Sequence, residues 1–244
     1  MLIRNHEVFG QVSSRQTIWR YMDFTKLVSL LEDRSLVFPR TDQFEDPYEG
    51  YLPEAAVREI RANKGALGFS DEHANLWIKF PETMRKQLYV SCWFASEHES
   101  AAMWKLYISS SEGIAIKTNT DSLAAVLNAS TLTIGMSAVR YIDYEKTSIP
   151  FGNALFPVIH KRMSFAHENE IRAVIWSELT DNRPQIETQA MCVHVPVDPS
   201  VLIEAVHVSP AAPAWFGALV EKVVGRYQLH LPVVRSGLYS RPVY

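Results

Sequence analysis

The sequence predicts an α+β fold: a split, mainly antiparallel sheet with flanking helices and a small helical insert at about residues 53–87, in one domain spanning 1–244. Three observations lead there. About eight short runs rich in β-branched and aromatic residues alternate with helical patterns, but without regular βαβ spacing. The chain has 244 residues and is 47% hydrophobic, enough for one sizeable core with an attached helical subdomain. Charged residues make up 21%, an ordinary share for a globular protein.

The elements follow in order. Thr17 to Met22 reads as a first strand. Asp23 then stands as a helix N-cap, with Phe24, Leu27, Val28, Leu30 and Leu31 at helical spacing. Ser35 to Pro39 is a short strand. In the following Asp42 to Gly50 turn, Pro47 pushes Asp46 out of helix and Gly50 permits a positive φ. Glu54 to Asn63 and Glu72 to Gln87 are helical and make up the insert. Leu88 to Phe94 is a strand, His98 to Tyr107 a helix, Gly113 to Lys117 a strand, and Thr120, as cap, opens a helix to Asn128. Thr131 to Ile142 contains a strand, and Asn153 to Phe165 is partly helical. Ala190 to Val195 and Leu202 to Val208 are strands. Pro213 opens a helix whose apolar stripe is Trp215, Phe216, Leu219, Val220, Val223 and Tyr227. Leu231 to Ser236 closes the chain.

A net charge of -3 argues against non-specific nucleic-acid binding, which needs clustered Lys and Arg. Cys92 and Cys192 lack metal-ligand spacing and sit in apolar runs, so both read as reduced core residues. No apolar run is long enough to span a membrane, and Met1 to His6 lacks the apolar core of a signal peptide. A soluble, cytoplasmic protein with no membrane partner is expected.

The segment His167 to Trp176 carries the most information. With period two, Ile171, Ala173 and Ile175 share one face, and Glu168, Glu170 and Arg172 the other. Two like charges on one strand face repel. They fit either a solvated outer face or a cleft in which a carboxylate meets a cationic or hydroxyl-bearing substrate. No phosphate loop, dinucleotide glycine fingerprint, zinc pair or nucleophile elbow is present. Asp46, Glu49, Glu168, Glu170 and Lys161 supply the residue types of a metal-dependent nuclease, although the Glu-x-Lys spacing is missing. The scattered histidines suggest no metal site, and no metal is expected.

Further clusters are Arg20-Tyr21, Leu30-Leu31, Gln43-Phe44-Glu45-Asp46-Pro47 with Glu49-Gly50, Ser91-Cys92-Trp93, Met103-Trp104 with Tyr107, Gly113 to Ile116, Lys161, and Glu168-x-Glu170-x-Arg172. In these the chain resembles the bacterial domain-of-unknown-function family 2971, from Trp19 to about Ser236. That resemblance implies an association with bacterial defence loci. A second resemblance, to ADP-ribosyltransferases, rests on the first-strand Arg-Tyr, an aromatic-rich helix and a late strand with Glu-x-Glu. It implies a split sheet, NAD as substrate, and transfer or cleavage at the nicotinamide ribose. Under it, Glu170 is the catalytic glutamate and Glu168 orients the acceptor. Arg20 contacts the NAD phosphates or ribose, and Ser91 is the middle-strand hydroxyl. Tyr21, Trp104, Tyr107 and Lys161 complete the cleft. Ser91 lacks the Ser-Thr-Ser context of that branch, and the first strand has no flanking Gly. The acceptor, protein or nucleic acid, stays open.

Each residue also has a structural role open to it. Arg20 can pair with Asp46 or Glu49 as a buried strut. Trp104 and Tyr107 can be core and cleft wall. Lys161 and Arg162 can form a solvated turn. Besides the enzyme, two readings therefore stand: a non-enzymatic sensor or interaction module of a defence system, and a metal-dependent nuclease.

Overall fold

The structure is a computed structural model, and it describes residues 2–3, 8–108, 110–179, 182–187 and 189–242. Residues 1 and 4–7, on which much of the reading of the chain start rests, lie outside the described residues. The strands are β1 (Leu2–Ile3), β2 (Thr17–Asp23), β3 (Ser35–Pro39), β4 (Leu88–Ala95), β5 (Gly113–Asn119), β6 (Ile134–Ala138), β7 (Arg140–Ile142), β8 (His160–Arg162), β9 (Glu170–Trp176), β10 (Cys192–Pro196), β11 (Ala205–Val208) and β12 (Val233–Arg235). The helices are α1 (Phe24–Asp33), α2 (Glu54–Asn63), α3 (Asp71–Met84), α4 (Ala101–Tyr107), α5 (Thr120–Asn128), α6 (Leu155–Val158), α7 (Pro199–Leu202) and α8 (Ala214–Arg226).

Eight strands form the main sheet in the order β1-β6-β9-β4-β2-β5-β11-β12. The inner pairings are antiparallel, and the outermost ones, β1 with β6 and β11 with β12, are parallel. Two small sheets flank it: β10 with β3, antiparallel, and β7 with β8, parallel. The architecture is thus α+β and mainly antiparallel.

The sheet is split at its centre. Strand β2 runs in register with β5 from Thr17 to Asp23, and β4 with β9 from Leu88 to Phe94. Between β2 and β4, only Ile18↔Ala95 and Trp19↔Phe94 pair. Beyond Trp19 the two strands no longer pair, and Arg20 of β2 donates to the Val37 carbonyl of β3.

The strand faces separate two cores, as the pleat requires. Ile18, Met22, Tyr89, Trp93, Ile114, Ile116, Ile171 and Ala173 pack with Leu27, Leu30 and Leu31 of α1, Leu123 of α5, and Phe216, Val220 and Val224 of α8. On the other face, Trp19, Tyr21 and Ala115 pack against Met103 and Trp104 of α4, while Val90 and Val174 pack against Val158 of α6. The α2–α3 segment has its own cluster, with Ala56, Ile60 and Ala74 around Ile149.

Local details differ from the sequence expectation. Asp23 precedes α1, but its side chain makes no capping hydrogen bond. Asn119, not Thr120, caps α5, because its Oδ1 accepts from the N–H groups of Asp121 and Ser122. On α8 the stripe is narrower than the sequence suggests: Trp215 and Leu219 are exposed. Both cysteines are free but only partly buried. Gly50 does take a positive φ, 78°.

Candidate active site

The charged face of β9 is not solvated. The strand is buried on both faces as far as Ile175, which overturns the solvated-outer-face reading. Glu168 is not on the strand at all. It ends the 3₁₀ segment Met163–Glu168, and Asn169 then takes the left-handed conformation at φ 35°. The Asn169 side chain holds that turn by donating to the Ala95 carbonyl at 2.6 Å. A left-handed kink, rather than strand periodicity, therefore brings the two glutamates together.

Five side chains from separate parts of the chain form one buried cluster. Lys161 of β8 donates to Glu168 and, at 3.0 Å, to Oε1 of Glu170, and Glu49 lies 3.5 Å away. Arg172 holds Glu170 in a fork, with Nε 2.9 Å from Oε2 and a terminal nitrogen 3.0 Å from Oε1. The same guanidinium pairs with Glu49 and donates to the Val158 carbonyl at 2.6 Å. The Glu170 backbone N–H donates to the Tyr141 hydroxyl at 2.9 Å. Lys161 is 6% exposed and Arg162 is tied to Asp46, so the two do not form a solvated turn.

Three carboxylates thus face two cations, and the imbalance fixes the protonation pattern. Burial pushes the Glu170 carboxyl up, but Arg172 and Lys161 outweigh it and hold the group well below the usual carboxylate range. Burial, reinforced by the hydrogen bond to Glu170 and its charge, pushes Glu168 up to about 7. Burial alone would lower Lys161, yet Glu170 and Glu49 raise it. The pair is therefore an ionised Glu170 beside a Glu168 that changes protonation near neutrality.

This cluster lines a cleft of about 730 Å³ that also takes in residues of β2, β3 and β4. Arg20 lines the same cleft from β2. Its guanidinium donates to Ser91 Oγ at 2.9 Å and to the Val37 carbonyl at 3.2 Å. It lies 5.6 Å from the Trp93 ring centroid. Among the described residues no carboxylate pairs with it, neither Asp46 nor Glu49. Burial pulls its pKa down. Asp46 pairs instead with Arg162 at 2.7 Å and accepts from the Tyr48 N–H at 3.0 Å.

The remaining expected residues divide between wall and core. Tyr21 lines the cleft, and its hydroxyl accepts from the Ser100 N–H at 2.8 Å. Tyr107 lines it too and is 48% exposed, hence open to a ligand. Burial of its hydroxyl, and then the charges of Glu168 and Glu170, push its pKa far up. Trp104 lies in the core, 4% exposed, with its ring edge-on to Tyr21 at 4.9 Å and its N–H donated to Glu99. Ser91 is 1% exposed and sits beneath Arg20.

Glu49, Arg172, Cys92 and Trp93 also line the cleft. Arg172 carried a signal, since it shares a strand face with Glu170. Glu49, read from the sequence as a partner of Arg20 or a metal ligand, meets Lys161 and Arg172 instead. Cys92 lies opposite Arg172 on β4, and burial, then the nearby Glu170, push its thiol up. The three carboxylates that meet here close on the Lys161 ammonium, and Asp46 points to Arg162. Among the described residues no group of three His, Cys, Asp or Glu side chains is arranged to hold a metal ion. No described helix is long and apolar enough to cross a membrane.

No protein-family model matches the chain, and no curated protein does. The resemblance to family 2971 therefore has only its quoted residues behind it. Among solved structures, the chain is similar to DarT from Thermus sp. 2.9 in complex with NAD+, with a TM-score of 0.41 and 10% identity, over 93% of this chain and 98% of that one. The same protein in complex with carba-NAD+ gives a TM-score of 0.38 at 10% identity, over 92% and 96% of the two chains.

Proposed function

We propose that the cleft binds NAD or a related dinucleotide, and that the protein transfers ADP-ribose from it or cleaves it at the nicotinamide ribose. Arg20 carries this reading. A partly buried guanidinium without a carboxylate partner is costly unless an anion meets it. Of its five N–H groups, the protein uses two. A pyrophosphate is an acceptor of suitable charge and geometry. The same cleft also carries carboxylates, which suit ribose hydroxyls and a developing cation.

In this reading the bond from ribose C1′ to the nicotinamide nitrogen breaks, and the electron pair leaves with nicotinamide. The ionised Glu170 stabilises the positive charge that develops on the sugar. Arg172 and Lys161 fix its direction, so no reorganisation is needed during the reaction. Glu168, with its carboxyl near neutrality, takes the proton of the acceptor or of water as the new bond to C1′ forms. Tyr107 at the rim offers a ring against which nicotinamide can lie.

A second reading draws on the saturation of the cluster. Both Glu170 oxygens already accept from Arg172 or Lys161, as a purely structural network would have it. The protein would then be a sensor or interaction module, with the defence association of the family it resembles. Incubation with labelled NAD, with and without cell extract, separates the two. The enzyme releases nicotinamide or labels an acceptor, and Glu170→Gln loses that activity by about 100-fold or more. A wild-type protein that neither releases nicotinamide nor binds NAD is the module.

A further inference from the structure

The hydroxyl of Ser91 has two acceptor sites and one hydrogen to donate. Arg20 fills one acceptor site at 2.9 Å, and the Trp93 indole N–H fills the other at 3.1 Å. Ser91 is 1% exposed, and so is Trp93. Neither acceptor site is left for a ribose hydroxyl, and no ligand in the cleft reaches the side chain. We propose that Ser91 and Trp93 are positioning residues, which hold the Arg20 guanidinium for an anionic ligand of the pyrophosphate class, Ser91 without touching that ligand itself.

The proposal rests on the nucleotide reading of the cleft and gives it a mechanism at the split. Arg20 sits just past Trp19, the last β2 residue paired with β4, where the main-chain ladder between the strands has ended. Three anchors replace it. Ser91 and the face of Trp93 come from β4, and the Val37 carbonyl comes from β3. Trp93 serves twice: its ring supports the guanidinium, and its N–H fixes the Ser91 oxygen that accepts from it. An unrestrained arginine loses much rotamer freedom on binding an anion; here that ordering is in place beforehand. The remaining N–H groups can then be presented to a ligand in one fixed fork.

The test is titration calorimetry with inorganic pyrophosphate and, separately, with NAD, on the full chain. The variants are Arg20→Ala, Ser91→Ala, Trp93→Phe and the double variant Arg20→Ala with Ser91→Ala. Near-ultraviolet circular dichroism checks folding, and Trp93→Phe keeps an aromatic ring while removing the indole donor together with the five-membered ring that carries it, so it carries the test if Ser91→Ala does not fold. Arg20→Ala is expected to weaken binding by about 100-fold, and Ser91→Ala and Trp93→Phe by about tenfold each. The double variant should bind no more weakly than Arg20→Ala, because Ser91 acts only through Arg20. In a turnover assay the loss in Ser91→Ala should appear in KM and not in kcat. Ser91→Ala and Trp93→Phe proteins that bind as tightly as wild type, while Arg20→Ala does not, would overturn the positioning role and leave the nucleotide reading standing. So would a double variant weaker than Arg20→Ala by the full Ser91→Ala factor. A wild type that binds neither pyrophosphate nor NAD would remove both.

Discussion

Lys161 reaches Glu170 from a strand of three residues in a different sheet, placing its ammonium 3.0 Å from Oε1. Together with Arg172 it makes Glu170 a carboxylate that stays charged yet cannot relax. That combination suits a group meant to face a developing cation. It also makes the cluster a determinant of stability, and the two roles can be measured apart.

Replacing Glu170 with Gln keeps its shape but leaves Arg172 and Lys161 short of one charge. We expect a loss of about 3 kcal/mol, the usual scale for an unbalanced buried pair. Glu168 should then ionise more readily, because the charge that held its proton is gone. Denaturant melts and the pH titration of Glu168 by carboxyl-resolved NMR check both. An unchanged Glu168 titration would show that the two carboxyls are not coupled.

The protonation of Glu168 gives stability a defined pH dependence. Its folded pKa, up to about 7, is raised above the ordinary carboxylate value. Between those values the folded chain binds more protons than the unfolded one. This contribution is therefore full below the unfolded pKa and is lost as pH rises through about 7. Buried His160 and His207, whose pKa values burial lowers, act in the opposite direction as pH falls below the normal histidine range. The informative quantity is the difference in Tm between wild type and Glu168→Gln across about pH 5 to 8. It should shift in favour of the variant as pH rises; parallel curves would contradict the assignment.

Asn169 sets the distance between the glutamates. Asn169→Ala forfeits the bond to the Ala95 carbonyl and places a less tolerant residue at a positive φ, at a cost of about 2 kcal/mol. Asn169→Gly loses only the hydrogen bond and should cost about half as much. Chemical denaturation of both variants checks the order. If Gly is the worse substitution, the turn is not what Asn169 is there for.

Much of the sheet was legible because its strands announce themselves locally. Thr17 to Met22 and Leu88 to Phe94 are dense in β-branched and aromatic residues, and both fold as strands. The split between them was also within reach, since short strands without regular crossovers do not build a continuous parallel sheet. The details of the site were harder to read. Glu168 looks like a strand residue until Asn169 turns the chain left-handed, and hydrophobic periodicity carries no trace of that. Glu49 and Lys161 are far apart in sequence, and they meet only where both side chains reach the cluster around Glu170 and Arg172. Trp104 could be read as either cleft or core, and the buried α4 face makes it core. Arg20 had carboxylates available in the sequence, and the fold gave them to Arg162, Lys161 and Arg172 instead.

That unpaired arginine is where the account is most exposed to test. The direct measurement is the dissociation constant of NAD, by calorimetry, for wild type and Arg20→Ala at equal ionic strength. Measurable binding by wild type is expected, with a loss of about 100-fold in the variant and the fold intact, as for a charge-assisted contact to a phosphate. Equal affinities for the two proteins, or no binding by a folded wild type, would contradict it.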